Sequence, residues 1–251
     1  MSAADMPSLS TMANVPNRPK SSKPAKSVSK TDVYERIYQA VVEHRLMPGT
    51  KLSEERVAEL FSVSRTQVRG ALARLAAEQL VTVYPNRGAF VTTPTADEAR
   101  DVLGVRKTLE PAVVARLVER IAQGNAPGAV KQLRALVKRE QQTLAAGDRR
   151  TSVRLSGEFH ILLAQLSGST IMTRMMRELT PLTCLANLTF EAPELSACPN
   201  LDHVSIIDAI EAGKAKVAMA VMIDHLQHIE ESLVLRNEEK TEMDLAQALF
   251  G

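Results

Sequence analysis

Three short amphipathic patterns and a hairpin signal follow one another within residues 31–93, and few folds accommodate that order. The first pattern predicts a helix that begins at Thr31 or Asp32 and ends near His44. Pro48-Gly49 then breaks the chain with a turn. Two shorter helical patterns come next, and each follows a serine. The order therefore predicts a compact unit of three helices closed by a hairpin.

The second and third helices carry clear capping signals. Ser53 precedes two acids, Glu54 and Glu55, which suit the first turn of a helix because its N-terminal end is partially positive. Ser64 stands three residues before Gln67, the spacing of a capping box. The third helix is therefore expected to begin directly after Ser64.

Two β-prone segments end this region. Residues 81–84 and 89–92 are rich in Val and Thr, and the turn residues 85–88 join them. Three helices followed by a two-stranded wing make a winged helix-turn-helix, in which the third helix enters the major groove of DNA. The unit is thus expected to bind double-stranded DNA.

Polar side chains occupy the outward face at the start of the third helix. Arg65 and Arg69 lie one turn apart, with Thr66 and Gln67 beside them. Arg and Gln reach base edges, whereas Ser and Thr hydroxyls bond phosphates. The alternative is that the two arginines simply form a solvated helix face, but the capped helices and the wing favour DNA binding.

These same residues resemble a known family. The matching segments are Leu52–Leu60, Val63–Arg69, Ala71–Leu75 and the wing Asn86–Val91. Together they look like the DNA-binding domain of the GntR family. The resemblance implies contacts to operator DNA from Arg56, Ser64, Arg65, Thr66, Gln67, Arg69 and Gly88, and we add Arg87 of the wing turn.

From residue 96 to about residue 236 nearly every segment has helical periodicity. Several motifs here are similar to the FCD class of GntR effector domains: Val105–Glu110, Glu158–His160, Asp202–Ile210 and Met222–Leu226. The expected fold is therefore mainly α, with an N-terminal winged helix-turn-helix and a C-terminal all-α bundle. The class implies a homodimer and a small organic-acid effector that alters operator binding.

Three histidines, His160, His203 and His225, lie on the apolar sides of three different helices. Taken alone, each is more typical of a hydrogen-bonded core residue, although three that converged would suit a divalent metal. The resemblance implies such a site, because metal-binding FCD domains have histidines at these positions. Those domains usually carry an Asp one turn before the first histidine, where this chain has Ser156. We therefore expect Zn or Ni held by the three histidines, with Ser156 facing the effector.

Arg106 belongs to an apolar helical stripe that also contains Val102, Val113 and Leu117. A guanidinium in such a stripe needs a partner. One candidate is Glu110, four residues on, as an ion pair on the helix surface. The other is the carboxylate of the effector, held bidentately from the wall opposite the histidines. In the resembling class the matching arginine often contacts the effector acid.

The ends of the chain have a different composition. Residues 1–30 contain five basic residues and a single acid among Ser and Pro, which predicts a disordered basic arm. The segment 237–251 is expected to be a tail. Cys184 and Cys198 lack metal-finger spacing, and no secretory or membrane-spanning segment is visible, which favours reduced thiols in a cytoplasmic protein.

The function that we predict is a DNA-binding transcriptional regulator, more typically a repressor, and not an enzyme. One alternative is a metal-dependent hydrolase with a three-histidine zinc site and an open coordination position. The absence of a convincing general base argues against it. A DNA-architectural protein without an effector is a third possibility, but the second region is net acidic.

Overall fold

The computed structural model describes residues 30–190 and 200–233. Cys198, the tail 237–251 and the expected arm, apart from its last residue, lie outside them. The first part contains α1 (Lys30–Val42), β1 (Lys51–Leu52), α2 (Glu54–Phe61), α3 (Arg65–Ala77), β2 (Val81–Tyr84) and β3 (Gly88–Val91). The winged helix-turn-helix is confirmed, although α1 begins and ends slightly earlier than its periodicity indicates.

The wing is a three-stranded antiparallel sheet in the order β1-β3-β2. The sequence predicted β2 and β3, and β3 lies one residue earlier than expected. Strand β1 was missed, because two residues are too short to show an alternating pattern. Lys51 pairs with Phe90 and Leu52 with Ala89, so the wing is tied to the turn that follows α1.

Capping defines the two helices of the DNA-binding motif. The Ser53 side chain accepts a hydrogen bond from the backbone N–H of Arg56, and α2 begins at Glu54, directly after Ser53. Ser64 and Gln67 form the predicted capping box of α3. Between the helices, Ser62 adopts the left-handed conformation that ends α2. The inner face of α3 packs into the core through Val68, Ala71, Leu72 and Leu75.

The second part is a helical bundle, which confirms the expected all-α fold. Its helices are α4 (Ala96–Ala122), α5 (Ala129–Ala145), α6 (Arg149–Leu166), α7 (Thr170–Phe190), α8 (Asn200–Glu211) and α9 (Ala215–Ser232). Pro111 lies inside α4 and Pro181 inside α7, and each removes one backbone donor from its helix. Gly157 lets α6 approach α7 closely, since a Cβ there would lie 2.9 Å from Cγ2 of Thr180.

The two parts share a packed junction. Leu185 of α7 is fully buried and belongs to the hydrophobic core of the winged helix, not to that of the bundle. Leu182 packs against the same cluster. Glu43, just beyond α1, forms an ion pair with Arg154 of α6 at 3.0 Å. The C-terminal end of α1 is thus fixed to both α6 and α7.

Within residues 30–190 and 200–233, no helix combines the length and the apolar character needed to cross a bilayer.

The junction gives a stability prediction. Leu185→Ala should lower the free energy of unfolding by about 2–5 kcal/mol, because it opens a cavity in a core that two domains share. Met47→Ala is the control, since Met47 is 50% exposed in the same winged helix; we expect a change below about 0.5 kcal/mol. Guanidinium unfolding followed by circular dichroism measures both. Equal effects of the two substitutions would contradict the shared core.

Candidate functional site

The start of α3 presents the two arginines that the sequence singled out. The Arg65 and Arg69 side chains are 56% and 67% exposed. Each is held by an acid from the first turn of α2: Arg65 by Glu55 at 2.5 Å and Arg69 by Glu54 at 2.7 Å. These partners were not predicted from the sequence, because the bonds span a turn between two helices. The arginines are therefore pre-oriented on one surface.

Other predicted contact residues lie nearby but have local roles. The Gln67 side chain accepts a hydrogen bond from the backbone N–H of Ser64 at 3.0 Å, so both residues hold the helix cap. Thr66, which lies between the two arginines in the sequence, is exposed. Arg56 lies on α2 and pairs with Glu59 at 3.1 Å, with both side chains largely exposed.

The wing turn carries the last two predicted residues. Arg87 lies over the rings of Tyr84 and Phe90, with its guanidinium carbon 5.3 and 6.0 Å from their centroids. Asn86 and Gly88 have positive φ angles of 60° and 95°, which a tight turn requires and which glycine adopts without strain. The wing thus presents a cation on a defined, narrow turn.

The second site is inside the helical bundle and is organised by Glu110. Its carboxylate accepts a bond from Arg106 Nε at 2.6 Å and one from His160 Nδ1 at 2.5 Å. Arg106 Nη1 also donates to Thr183 Oγ1 at 3.0 Å. All three charged or titratable groups are buried. Arg106 therefore lies beside His160, and the expectation that it stands on the opposite wall is wrong. Its pair with Glu110 is internal and not on the helix surface.

The pKa values show which forms these groups take. Burial by itself raises the pKa of Glu110, but Arg106 and His160 outweigh burial and hold it at about 2. Burial lowers the pKa of His160 to about 3, against the opposing pull of Glu110. At neutral pH Glu110 is thus a carboxylate and His160 a neutral imidazole. Because a carboxylate can only accept, the proton of His160 lies on Nδ1 and its Nε2 has a lone pair.

The three predicted histidines converge. One ring nitrogen from each of His160, His203 and His225 lies within 4.8 Å of the others, and all three residues are buried. Nε2 of His225 is 3.4 Å from Nε2 of His160. Each Nδ1 faces an acid: Glu110 for His160, Glu140 for His203 at 3.0 Å, and Asp202 for His225 at 3.2 Å.

This donor set fits a divalent cation. Two nitrogens about 2.1 Å from a tetrahedral metal lie about 3.4 Å apart, which matches the spacing of the His160 and His225 nitrogens. Metal-binding histidines typically donate their other N–H to a carboxylate, and each of these three has a carboxylate oxygen within 3.2 Å of its Nδ1. Ser156 lies on α6 one turn before His160 and offers a hydroxyl, so the three histidines would supply neutral ligands to such an ion.

A cavity of about 280 Å³ adjoins this cluster. Arg106, Ser156 and His160 all line it, so the structure brings the two predicted effector residues together with one of the three histidines. Buried polar atoms without a hydrogen-bond partner in the described part of the chain lie on five of its lining residues: His44 Nε2, Arg106 Nη2, Glu140 Oε1, Thr180 Oγ1 and Asn187 Oδ1. Buried polar groups are normally paired, so this concentration is typical of a polar ligand site.

Several residues of this site were missed in the sequence. Glu140 is detectable, because it continues the buried stripe of Leu133, Leu136 and Val137 on α5. Asp202 begins the Asp202–Ile210 motif, but its bond to His225 joins two different helices and could not be predicted from that motif. No sequence pattern indicates His44, because it lies two residues beyond the end of α1 and lines the cavity only when the two domains pack together.

Two family models match the chain, one over each of its two parts. Residues 29–91 match the model of bacterial regulatory proteins of the gntR family, and residues 101–228 match the FCD domain. The chain belongs to the GntR family and carries an FCD domain. Members of this family are DNA-binding transcription regulators and not enzymes, which decides against the hydrolase alternative. Some FCD domains bind metal.

Relatives of this GntR regulator match over most of its length. The HTH-type transcriptional repressor RspR of Escherichia coli K12 is 26% identical over 80% of this chain and 87% of its own. An uncharacterized HTH-type regulator of Streptomyces ambofaciens is 30% identical over 80% of this chain and 83% of its own. A crystal structure of a GntR regulator from Rhodococcus sp. RHA1 superimposes with a TM-score of 0.70 at 24% identity. The match covers 80% of this chain and 95% of the Rhodococcus chain. That structure supports the fold.

The buried ion pair gives a second prediction. Arg106→Met should lower the free energy of unfolding by about 3–5 kcal/mol, because it leaves the Glu110 carboxylate buried without its cation. Adding Glu110→Gln should recover part of the loss, since the amide is neutral and its oxygen still accepts from His160. Guanidinium unfolding at one protein concentration measures Arg106→Met, Glu110→Gln and the double variant. If the double variant is as unstable as the sum of the two single variants, the charge-pair explanation is wrong.

Proposed function

We propose that this transcriptional regulator is a homodimeric repressor whose operator binding responds to a small organic acid bound in the cavity. The observation that carries the proposal is the unpartnered Nη2 of buried Arg106, which lines the cavity beside the three-histidine cluster. A guanidinium with a free edge is suited to a carboxylate. The cavity, of about 280 Å³, has the size of a small-metabolite site.

The DNA contacts that we propose come from α2, α3 and the wing. The residues that make these contacts are either exposed or part of the α3 cap. They are Arg56, Ser64, Arg65, Thr66, Gln67, Arg69, Arg87 and Gly88. Arg65 and Arg69 are the base-reading candidates, because their side chains project from the first turns of the helix that enters the major groove. The cap residues and the wing position the domain on phosphates.

A matched set of variants tests this assignment. Arg65→Ala and Arg69→Ala should each weaken operator binding by about 1–3 kcal/mol if they contact bases, and the fold should survive because both side chains are exposed. Arg139→Ala is the control, since it removes an exposed arginine from α5. Fluorescence anisotropy at one salt concentration, with an operator selected from random DNA, gives the affinities. Unchanged binding by both variants would contradict the assignment.

The repressor assignment comes from a relative. RspR is named as a repressor and matches most of this chain. In this scheme the acid binds the free protein more tightly than the DNA complex. Linkage then requires the acid to weaken operator binding by the same factor.

A divalent ion, Zn or Ni, is proposed to be held by His160, His203 and His225. When bound, the ion supplies positive charge beside the cavity. The three imidazoles bring no charge of their own, and Ser156 adds none, so an anionic ligand is favoured next to the ion. Arg106 would hold the carboxylate of that ligand, and Ser156 would face it with a hydroxyl.

Dimerisation is supported by an apolar face on α4 and α7. Val105 and Ile171 are 42% and 54% exposed, and Val105 lies in a shallow depression with Leu109, Ala112 and Met175. A second copy that covered this face would bury these side chains and pair two winged helices for two operator half-sites.

The metal and the acid should bind cooperatively. Thermal shifts with zinc alone, L-malate alone and both together should show a larger combined shift than the sum of the separate ones. Ser156→Asp should strengthen zinc binding and reduce its dependence on malate, because the carboxylate supplies the missing charge. His160→Ala should abolish zinc uptake, whereas His228→Ala should not, since His228 is exposed and outside the cluster. Absence of metal from the wild type and from Ser156→Asp in elemental analysis would refute the metal site.

A further inference from the structure

One of the residues that line the cavity in the helical bundle comes from the DNA-binding domain. His44 follows α1 and lines the cavity together with Arg106 of α4 and Asn187 of α7. Its φ of 55° is the left-handed conformation that ends α1, where the backbone N–H of Arg45 donates to the carbonyl of Ala40 at 2.8 Å.

The His44 ring is positioned for a hydrogen bond that the described residues do not make. Its Nε2 is buried and has no partner among them. Burial, with a smaller effect from Arg149, lowers the pKa of His44 to about 4, so the ring is neutral at pH 7. A neutral imidazole nitrogen either donates or accepts one bond, and a hydroxyl satisfies either case. The ring therefore suits a polar group of a ligand that can donate or accept, such as a hydroxyl.

His44 is also connected to the position of the winged helix. The preceding residue, Glu43, pairs with Arg154 on α6, the helix that carries Ser156 and His160. Leu185 on α7, next to the cavity residue Cys184, is buried in the core of the winged helix. Whatever bonds to His44 inside the cavity thus touches both domains at their fixed junction.

We propose that His44 is a ligand contact supplied by the DNA-binding domain, and that it selects acids bearing a hydroxyl group. The proposal rests on the carboxylate site described under Proposed function. Arg106 holds the carboxylate, and His44 bonds a hydroxyl further along the ligand. Occupancy of the cavity is then sensed directly by the domain that carries α3, so one histidine contributes to both specificity and coupling.

Matched pairs of acids test the specificity. Each pair has one hydroxylated member and its deoxy counterpart: L-lactate with propionate, L-malate with succinate, and D-gluconate with hexanoate. Calorimetry on the full chain should show that at least one hydroxy acid binds the wild type 10-fold or more tightly than its counterpart. His44→Ala should reduce that preference to less than twofold while leaving the deoxy acid bound. Arg106→Gln should weaken both members of the pair.

Two variants at position 44 separate ring loss from backbone strain. His44→Gly suits the positive φ, whereas His44→Ala does not, so an effect shared by both comes from the missing ring. Gln39→Ala is the control, because Gln39 is exposed on α1 and does not line the cavity. Melting temperatures confirm that the variants fold.

Coupling is measured on the same proteins with operator DNA selected from a random library. The chosen hydroxy acid should change operator affinity at least 10-fold for the wild type and the Gln39→Ala control. For both His44 variants the change should fall below threefold, while operator affinity without acid stays within twofold of the wild type. Hydroxy-acid preference and coupling that persist in both His44 variants would overturn the role of His44 and leave the carboxylate site standing. If no acid of the three pairs binds the wild type, the proposed carboxylate site is wrong, and so is the proposed contact from His44.

Discussion

The shared carboxylate of Glu110 is the interaction on which the interior of the bundle depends. Burying this charge is costly, and the cost is offset because Arg106 and His160 both donate to it. The arrangement fixes two features at once. It holds the proton of His160 on Nδ1, which leaves Nε2 available as a ligand, and it anchors one edge of the Arg106 guanidinium so that another nitrogen faces the cavity. Without Glu110, neither the histidine cluster nor the cavity would have its present polarity.

The same pairing is repeated through the bundle. Glu110 connects α4 to α6, Glu140 of α5 bonds His203 of α8, and Asp202 of α8 bonds His225 of α9. Each pair joins two helices, so five of the six helices that the structure describes in the second part are linked through the histidine cluster. Buried polar pairs of this kind restrict how helices can slide, because a shift would leave a charge unpaired. A metal-binding geometry and a defined helix arrangement thus have the same physical origin.

How far the sequence predicted the protein depends on the range of each interaction. The caps of α2 and α3 were predictable because Ser53 and Ser64 act within three residues. Arg106 and the three histidines were found, since each interrupts an apolar helical stripe. Their partners were not, because Glu140 and His203 are 63 residues apart and meet only when α5 packs on α8. His44 lies at the other extreme: nothing in its local pattern indicates a cavity residue, and its role depends on how two domains dock.

The ion pairs at the start of α3 affect how ionic strength acts on this regulator. Glu55 and Glu54 already act as counterions for Arg65 and Arg69 in the free protein. In a complex in which those arginines contact DNA, each exchanges one anionic partner for another instead of adding an unpaired cation to the phosphate backbone. The freed glutamates attract cations in turn, so the net release of ions is smaller than the number of arginines implies. Operator affinity would then fall less steeply as salt concentration rises, and discrimination between sequences would depend more on base contacts than on charge.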